Sequence, residues 1–432
     1  MRLAGGLLGQ LYGDAEMAAI LSDRAAIAAL LRVEVALARA QADLGMIPTD
    51  AAEAVAAAAL SLAPEPETLA PAVAAAGITA QPVIAALKKA AGQAGGFAHY
   101  GATSQDIVDT GLALQLTEAL ALLETRRVTL EDTLARKAAR YAGQPIPART
   151  RHQIAAPTTL GAKIAVWQGM LDRNGRRLNE LRPRVLLISL HGAAGTSTAL
   201  GFCADALRAQ VAQALGLAVP PGPWHAARDG MAELAGWLSL VTGTLGKMGL
   251  DLIQLGQSEV GEVTAGAGGG SSTMPQKANP VGAEALVTLA RLNAGDVAGM
   301  HHALIHAQER DGTALGLEWN ILPLMLERTA AALRIAGELA GTLAPVPARI
   351  AATFAADRGR MCAETAGFLL ARQMPRERAL ALVAEALAQA AADDTVTLAG
   401  ALARLAPGTD WASELDPARL AQPQRSHWEE TS

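Results

Sequence analysis

Between Gly266 and Asn279 the chain reads G-A-G-G-G-S-S-T-M-P-Q-K-A-N, so two hydroxyls, Ser271 and Ser272, a cation, Lys277, and an amide, Asn279, follow closely on four glycines. These residue types suit an anionic substrate: glycine N–H groups and an ammonium can surround a carboxylate while a serine supplies a transferable proton. Glycines at 266, 268, 269 and 270 disfavour helix and strand, which predicts a mobile loop over 263–280. A flexible linker is the plainer reading of the same glycines. A phosphate cradle is disfavoured, because the P-loop pattern has Gly before its Lys and Gln276 stands there.

Two further stretches carry comparable groups. His99-Tyr100-Gly101-Ala102-Thr103-Ser104-Gln105-Asp106, followed by Asp109-Thr110, sets an imidazole and two hydroxyls where a loop enters a long helix, and helix N-termini attract carboxylates. Thr103 or Ser104 would equally serve as an ordinary N-cap. Arg149-Thr150-Arg151-His152-Gln153 adds cations, a hydroxyl, an amide and an imidazole, and spacing alone leaves open whether His152 turns towards a site. His302 and His306 stand four apart without an H-E-x-x-H pattern, and no metal is expected.

The elements that must hold these groups read as helices. The 432 residues are 51% hydrophobic but only 3% aromatic, a balance that suits close-packed, alanine-rich helices better than a β-sandwich, so the expected class is all-α. Net charge is −5 with no basic run, which argues against a nucleic-acid surface. Two cysteines, Cys203 and Cys362, are too few for a disulfide framework and fit a reducing cytoplasm. No long uncharged apolar run or signal peptide is evident, so a soluble protein without a membrane partner is expected.

A helix is predicted from about Arg24 to Leu44 behind Ser22-Asp23, then two alanine-rich helices to about Gly95. Leu116, Leu120, Leu123, Leu130 and Leu134 form one stripe. Leu160, Ile164, Trp167, Leu171, Leu178 and Leu181 form a second, expected to stop at Pro183. Leu234, Leu238, Val241, Leu245, Met248, Leu252 and Leu255 alternate spacings of four and three, with Glu259 extending that seam as a candidate supporting carboxylate. Helices over about Val281–His306 and Glu318–Leu343 complete five long ones. Three helical domains are expected: 1–105, a central long-helix bundle 106–345, and 346–432 with a frayed polar end from Gln422 to Ser432.

Gly270 to Pro280 matches every fixed position of G-S-S-x-M-P-x-K-x-N-P, and on this stretch the chain resembles the fumarase/aspartase superfamily. His99 to Thr110 is similar to its H-x-G-x-T-S-x-D-x-x-D-T region, and Arg149 to Gly161 to the region that supplies substrate-binding groups and often a histidine acid/base. Here the chain departs from the pattern. Lyases such as adenylosuccinate lyase carry histidine where this chain has Arg151, some cycloisomerases where it has Ile154, and His152 falls between. Gln308-Glu309-Arg310-Asp311-Gly312, Leu317-Glu318-Trp319, the His191–Thr196 stretch and Trp224-His225 resemble the carboxymuconate cycloisomerases more than the lyases.

The resemblance implies a homotetramer whose twenty-helix core is built from four five-helix bundles, with each active site shared between subunits and no cofactor. It implies proton exchange beside a carboxylate through a doubly charged aci-carboxylate, with Ser271 as the proton-transfer residue and His152 as a second candidate. For a small tricarboxylate substrate the implied reaction is addition of one carboxylate across a double bond, a step of protocatechuate degradation. Implied binders are His99, Thr103, Ser104, Thr150, Gln153, Lys277, Asn279 and Arg310, with Arg149 and Arg228 as further candidates. Adenylosuccinate lyase or another fumarate-releasing lyase of the superfamily is the alternative. A non-catalytic helical scaffold is a third reading, which the complete serine loop opposes.

Overall fold

The computed structural model describes residues 6–270 and 273–422, and the chain is mostly helical. The five long stretches form helices over Ser104–Arg140, Leu160–Val185, Asp229–Gly256, Val281–His302 and Gly312–Thr342. Every residue of the three stripes read from the sequence is buried, as a helix with one apolar face requires. Pro183 does not end the second long helix, which continues to Val185. So close to a C-terminus, proline disturbs only a turn that is about to finish. The fifth begins earlier than expected, at Gly312, because the Asp311 carboxylate accepts from the Thr313 N–H at 2.8 Å and caps the turn.

The first hundred residues hold more helices than expected: short ones over Gly9–Tyr12 and Ala15–Ile20 precede the expected first, and three α-helices rather than two follow it. Asp23–Asp43, whose N-cap Ser22 accepts from Ala25 N at 3.1 Å, is followed by Thr49–Ser61, Pro66–Ala76 and Ala80–Ala90. Pro66 opens its helix where its missing N–H is no loss, and Gly77, at φ 68°, closes that helix in the left-handed conformation that glycine tolerates.

Two short antiparallel pairs accompany the helices of this mostly helical fold. Pro145–Thr150 pairs with Gln153–Thr159, and Val263–Thr264 with Ala344–Pro345. Pro145, Pro147 and Pro157 keep the first pair out of helix. Arg151 at φ 50° and His152 at φ 68° make its two-residue connection, the type I′ pattern that matches strand twist. A hydrophobic-stripe search misses this hairpin because its residues lack clear alternation.

The chain packs as two compact units, one from 1–128, 172–246 and 285–334, the other from 129–171, 247–284 and 335–432. All five long helices contribute to both, so the units do not follow three consecutive segments. In the first, Leu30, Leu37, Val55, Leu87 and Leu207 belong to one apolar core; in the second, Met361, Leu370, Val383, Leu402 and Trp411 belong to another. Of the polar tail only Gln422 lies within the described residues. Among those residues no helix is long and apolar enough to cross a membrane.

At the start of the first long helix the fully buried Asp106 carboxylate gathers three loops. It accepts from Thr103 N at 3.0 Å, His191 N at 3.0 Å, Gly192 N at 2.9 Å, His225 Nε2 at 2.7 Å and Ser189 Oγ at 3.3 Å. The bond back to Thr103, three residues earlier, is the return half of a capping box. Burial alone would raise this carboxyl, but His225 and the His191 and Thr103 N–H groups outweigh it and hold Asp106 below the usual range. A native value below that of the unfolded chain adds stability above about pH 4, lost as pH falls through the native value. We expect Asp106→Asn to cost about 2–3 kcal/mol at pH 7, the scale of hydrogen bonds to a charged group. The variant should also lose less stability than wild type on acidification. Denaturant unfolding over a descending pH series checks both.

Candidate active site

Seven residues before Asp106, His99 sits at φ 60°, a left-handed conformation that a residue with a side chain seldom adopts unless its surroundings hold it there. Two polar side chains of the Asp23–Asp43 helix do so. Glu34, buried, accepts from His99 N at 3.0 Å through one oxygen and contacts His99 Nδ1 at 2.8 Å through the other. Gln41, also buried, donates to the Tyr100 carbonyl at 2.6 Å. Four residues past His99, Thr103 Oγ1 accepts from Arg310 Nη1 at 2.7 Å, and Arg310 Nη2 donates to the Ala193 carbonyl. His99, Thr103, Ser104 and Arg310 therefore belong to one compact unit, with Thr103 and Arg310 in contact and Ser104 the first helical residue. A guanidinium beside a helix N-terminus is suited to a carboxylate.

Arg228, a further candidate binder on sequence, is corrected. Its side chain is 1% exposed, it forms a two-bonded pair with Glu318, and its Nη1 lies 3.0 Å from Asp109 Oδ2. Its guanidinium stacks 4.6 Å from the Trp224 ring centroid. Burial pushes Asp109 up to about 6 against the pull of Arg228. This cluster braces the interior and leaves no face of Arg228 open to a substrate. Glu318, part of the family-like Leu317-Glu318-Trp319 string, is the other half of that brace.

In the second unit Thr150, His152 and Gln153 lie exposed at the hairpin tip, and His152 makes no hydrogen bond or ion pair among the described residues. Arg149 is directed elsewhere: it forms a bidentate pair with the buried Glu262, at 2.7 and 2.6 Å. Glu259 does not extend the apolar seam, because its helix ends at Gly256 and Glu259 is exposed; the buried carboxylate is Glu262, three residues on. Lys163 lines a cavity of about 170 Å³ with Arg149, Lys247, Asp251 and Gln254, and burial lowers its pKa.

The glycine loop has partial order of its own. Gly269 and Asn279 exchange two backbone hydrogen bonds of 2.7 Å, and Gly266 N donates to Thr342 Oγ1 at 2.7 Å. A Cβ on Gly269 would come within 2.5 Å of a Val281 methyl, so glycine is needed there for close approach. Lys277 is exposed, Asn279 half-buried, and Ser271 lies outside the described residues.

The sequence analysis did not single out Glu34, Gln41 or Lys163, and it noted His225 only within a family-like pair without a role. A signal for the first was present. Glu34 interrupts Leu30-Leu31-Arg32-Val33-Glu34-Val35 within an apolar helix, the criterion applied above to Glu259. His225 carries no such mark, because it meets Asp106 across 119 residues.

Residues 13–299 match the family model described as Lyase. The 3-carboxy-cis,cis-muconate cycloisomerase of Pseudomonas aeruginosa is 41% identical over 376 residues, covering 85% of this chain and 82% of that protein. The N-acetyl-S-(2-succino)cysteine lyase of Enterococcus italicus is 33% identical over 87% of this chain and 83% of its own length. The crystal structure of 3-carboxy-cis,cis-muconate lactonizing enzyme from Pseudomonas putida is similar at a TM-score of 0.89 and 37% identity, covering 96% of this chain and 95% of that one. The signature loop, the helical architecture and these matches agree, and the chain belongs to this lyase family of the fumarase/aspartase superfamily.

Proposed function

We propose that this chain is a 3-carboxy-cis,cis-muconate cycloisomerase, acting in the cytoplasm on protocatechuate-derived carboxymuconate by way of the β-ketoadipate route. The observation that carries this reading is its 41% identity, over 85% of its length, to an enzyme of that name. The geometry is compatible: a guanidinium on Thr103 at a helix start, and an exposed ammonium and a half-buried amide on a glycine loop, are groups suited to a tricarboxylate.

In the proposed reaction one carboxylate of the folded substrate adds across a double bond to give 4-carboxymuconolactone. Charge builds on the neighbouring carboxylate as an aci-carboxylate dianion, and a proton is delivered to the carbon beside it. Fixed donors aimed at developing charge are the main source of acceleration in such a step. Lys277, Asn279 and loop N–H groups are assigned that role, and Ser271 is assigned the proton: donor on lactonisation, base on ring opening. A serine is too weak a base unaided, so Lys277 and the loop must stabilise its alkoxide. His99, Thr103, Ser104 and Arg310 are assigned to substrate carboxylates, with Thr150 and Gln153 on the hairpin. His152 remains a candidate second acid/base.

The two groups of residues are proposed to meet across subunits, in sites shared within a homotetramer whose core is four five-helix bundles. Exposure of Thr150, His152, Gln153 and Lys277 in the single chain supports this. A second reading, a lyase of the same superfamily such as adenylosuccinate lyase, is favoured by the relationship to the N-acetyl-S-(2-succino)cysteine lyase.

Purified protein is expected to consume 3-carboxy-cis,cis-muconate, seen as loss of the conjugated diene absorbance, and to leave adenylosuccinate unchanged. The opposite result would select the lyase reading. Ser271→Ala should lower kcat by about 10²-fold or more with the fold intact, the contribution of a positioned proton donor. Unchanged turnover would remove Ser271 from the mechanism.

A further inference from the structure

We infer that Glu34 is a positioning residue for the proposed cycloisomerase site, acting through His99. The inference rests on the carboxymuconate reading above. Glu34 is 1% exposed on a helix whose other buried members are almost all apolar, among them Leu30, Leu31, Val33, Leu37 and Ala38. A carboxylate in such surroundings is costly unless its oxygens are engaged, and here both are engaged by one residue. Oε2 accepts the His99 backbone N–H at 3.0 Å and Oε1 meets Nδ1 of its ring at 2.8 Å.

A purely structural demand on this turn would be met by the backbone contact alone. The ring contact does something different: with Nδ1 held by Glu34, Nε2 is the ring nitrogen left for a ligand, and the ring keeps 14% of its surface exposed. Seven residues along the same helix, Gln41 fixes the next carbonyl, that of Tyr100, at 2.6 Å. Backbone and ring are thus gripped together. His99, held in a left-handed turn at φ 60°, stands four residues before Thr103, which touches Arg310. The ligand class is a carboxylate of the substrate, met jointly by His99 and Arg310.

The test is a double-mutant cycle in the full-length protein: wild type, Glu34→Gln, His99→Asn and both, each assayed for kcat and KM on 3-carboxy-cis,cis-muconate. Gln keeps an acceptor for the backbone N–H and the helix, so the fold should survive. Glu34→Gln is expected to raise KM about tenfold, within the range of coupling between contacting residues, with kcat changed by less than about twofold, the pattern of lost substrate binding. In the His99→Asn background the same change should have no further effect. Equal effects of Glu34→Gln in both backgrounds, or an unchanged KM in the single variant, would overturn the inference. Should Glu34→Gln fail to fold, Glu34→Asp, which retains the charge at shorter reach, is read in the same cycle against the same two outcomes. A wild type inert on carboxymuconate overturns the functional reading and this inference with it; an active wild type with additive variants overturns the inference alone.

Discussion

One buried carboxylate, that of Asp106, sets where the loops of the first compact unit can lie. Its five contacts among the described residues come from Thr103, the 189–192 segment and His225, the last of these 119 residues from Asp106 in the chain. Removed from water, an ionised carboxylate tolerates burial only where donors surround it. Once the first long helix begins at Ser104, Asp106 points at a single place, and the loops must bring their N–H groups there. Thr110, one turn further along, repeats the device by exchanging hydrogen bonds with Ser189. The turn carrying His99 and the loop carrying Ala193 are thereby tied to one helix end.

The fate of each arginine follows from the same rule. Arg228 and Arg149 have buried carboxylates within reach and are taken up by them, Glu318 with Asp109 in one case and Glu262 in the other. Among the described residues Arg310 meets a hydroxyl and a carbonyl, both neutral acceptors, and no carboxylate is among its hydrogen-bond partners there. That difference separates a bracing cation from one available to an anion, and residue type alone does not express it. It also makes Arg310 the strongest ligand candidate among the three.

The glycine loop shows a comparable division of labour. Gly266, at φ 76°, and Gly268, at φ 69°, take conformations that other residues resist, while Gly269 admits Val281. Glycine is thus used here for specific geometry as well as for freedom, which a linker would not need. The backbone bridge from Gly269 to Asn279 closes the loop at its base and leaves Lys277 exposed between.

Much of the architecture was legible in the sequence because helical burial is periodic. Every leucine of the three stripes is buried where spacing put it, and Ser22 caps the helix it precedes. The signature loop likewise declared the family through local order of residues. The hairpin over 145–159 was not legible, since two left-handed residues that are neither glycine nor asparagine, Arg151 and His152, make its turn. Nor were Glu34, Glu262 and His225, whose roles depend on partners brought close by packing. A sequence records which groups exist and how they repeat along a helix. Which carboxylate neutralises which cation, and hence which cation remains for a substrate, is decided only when distant segments are packed and water is excluded between them.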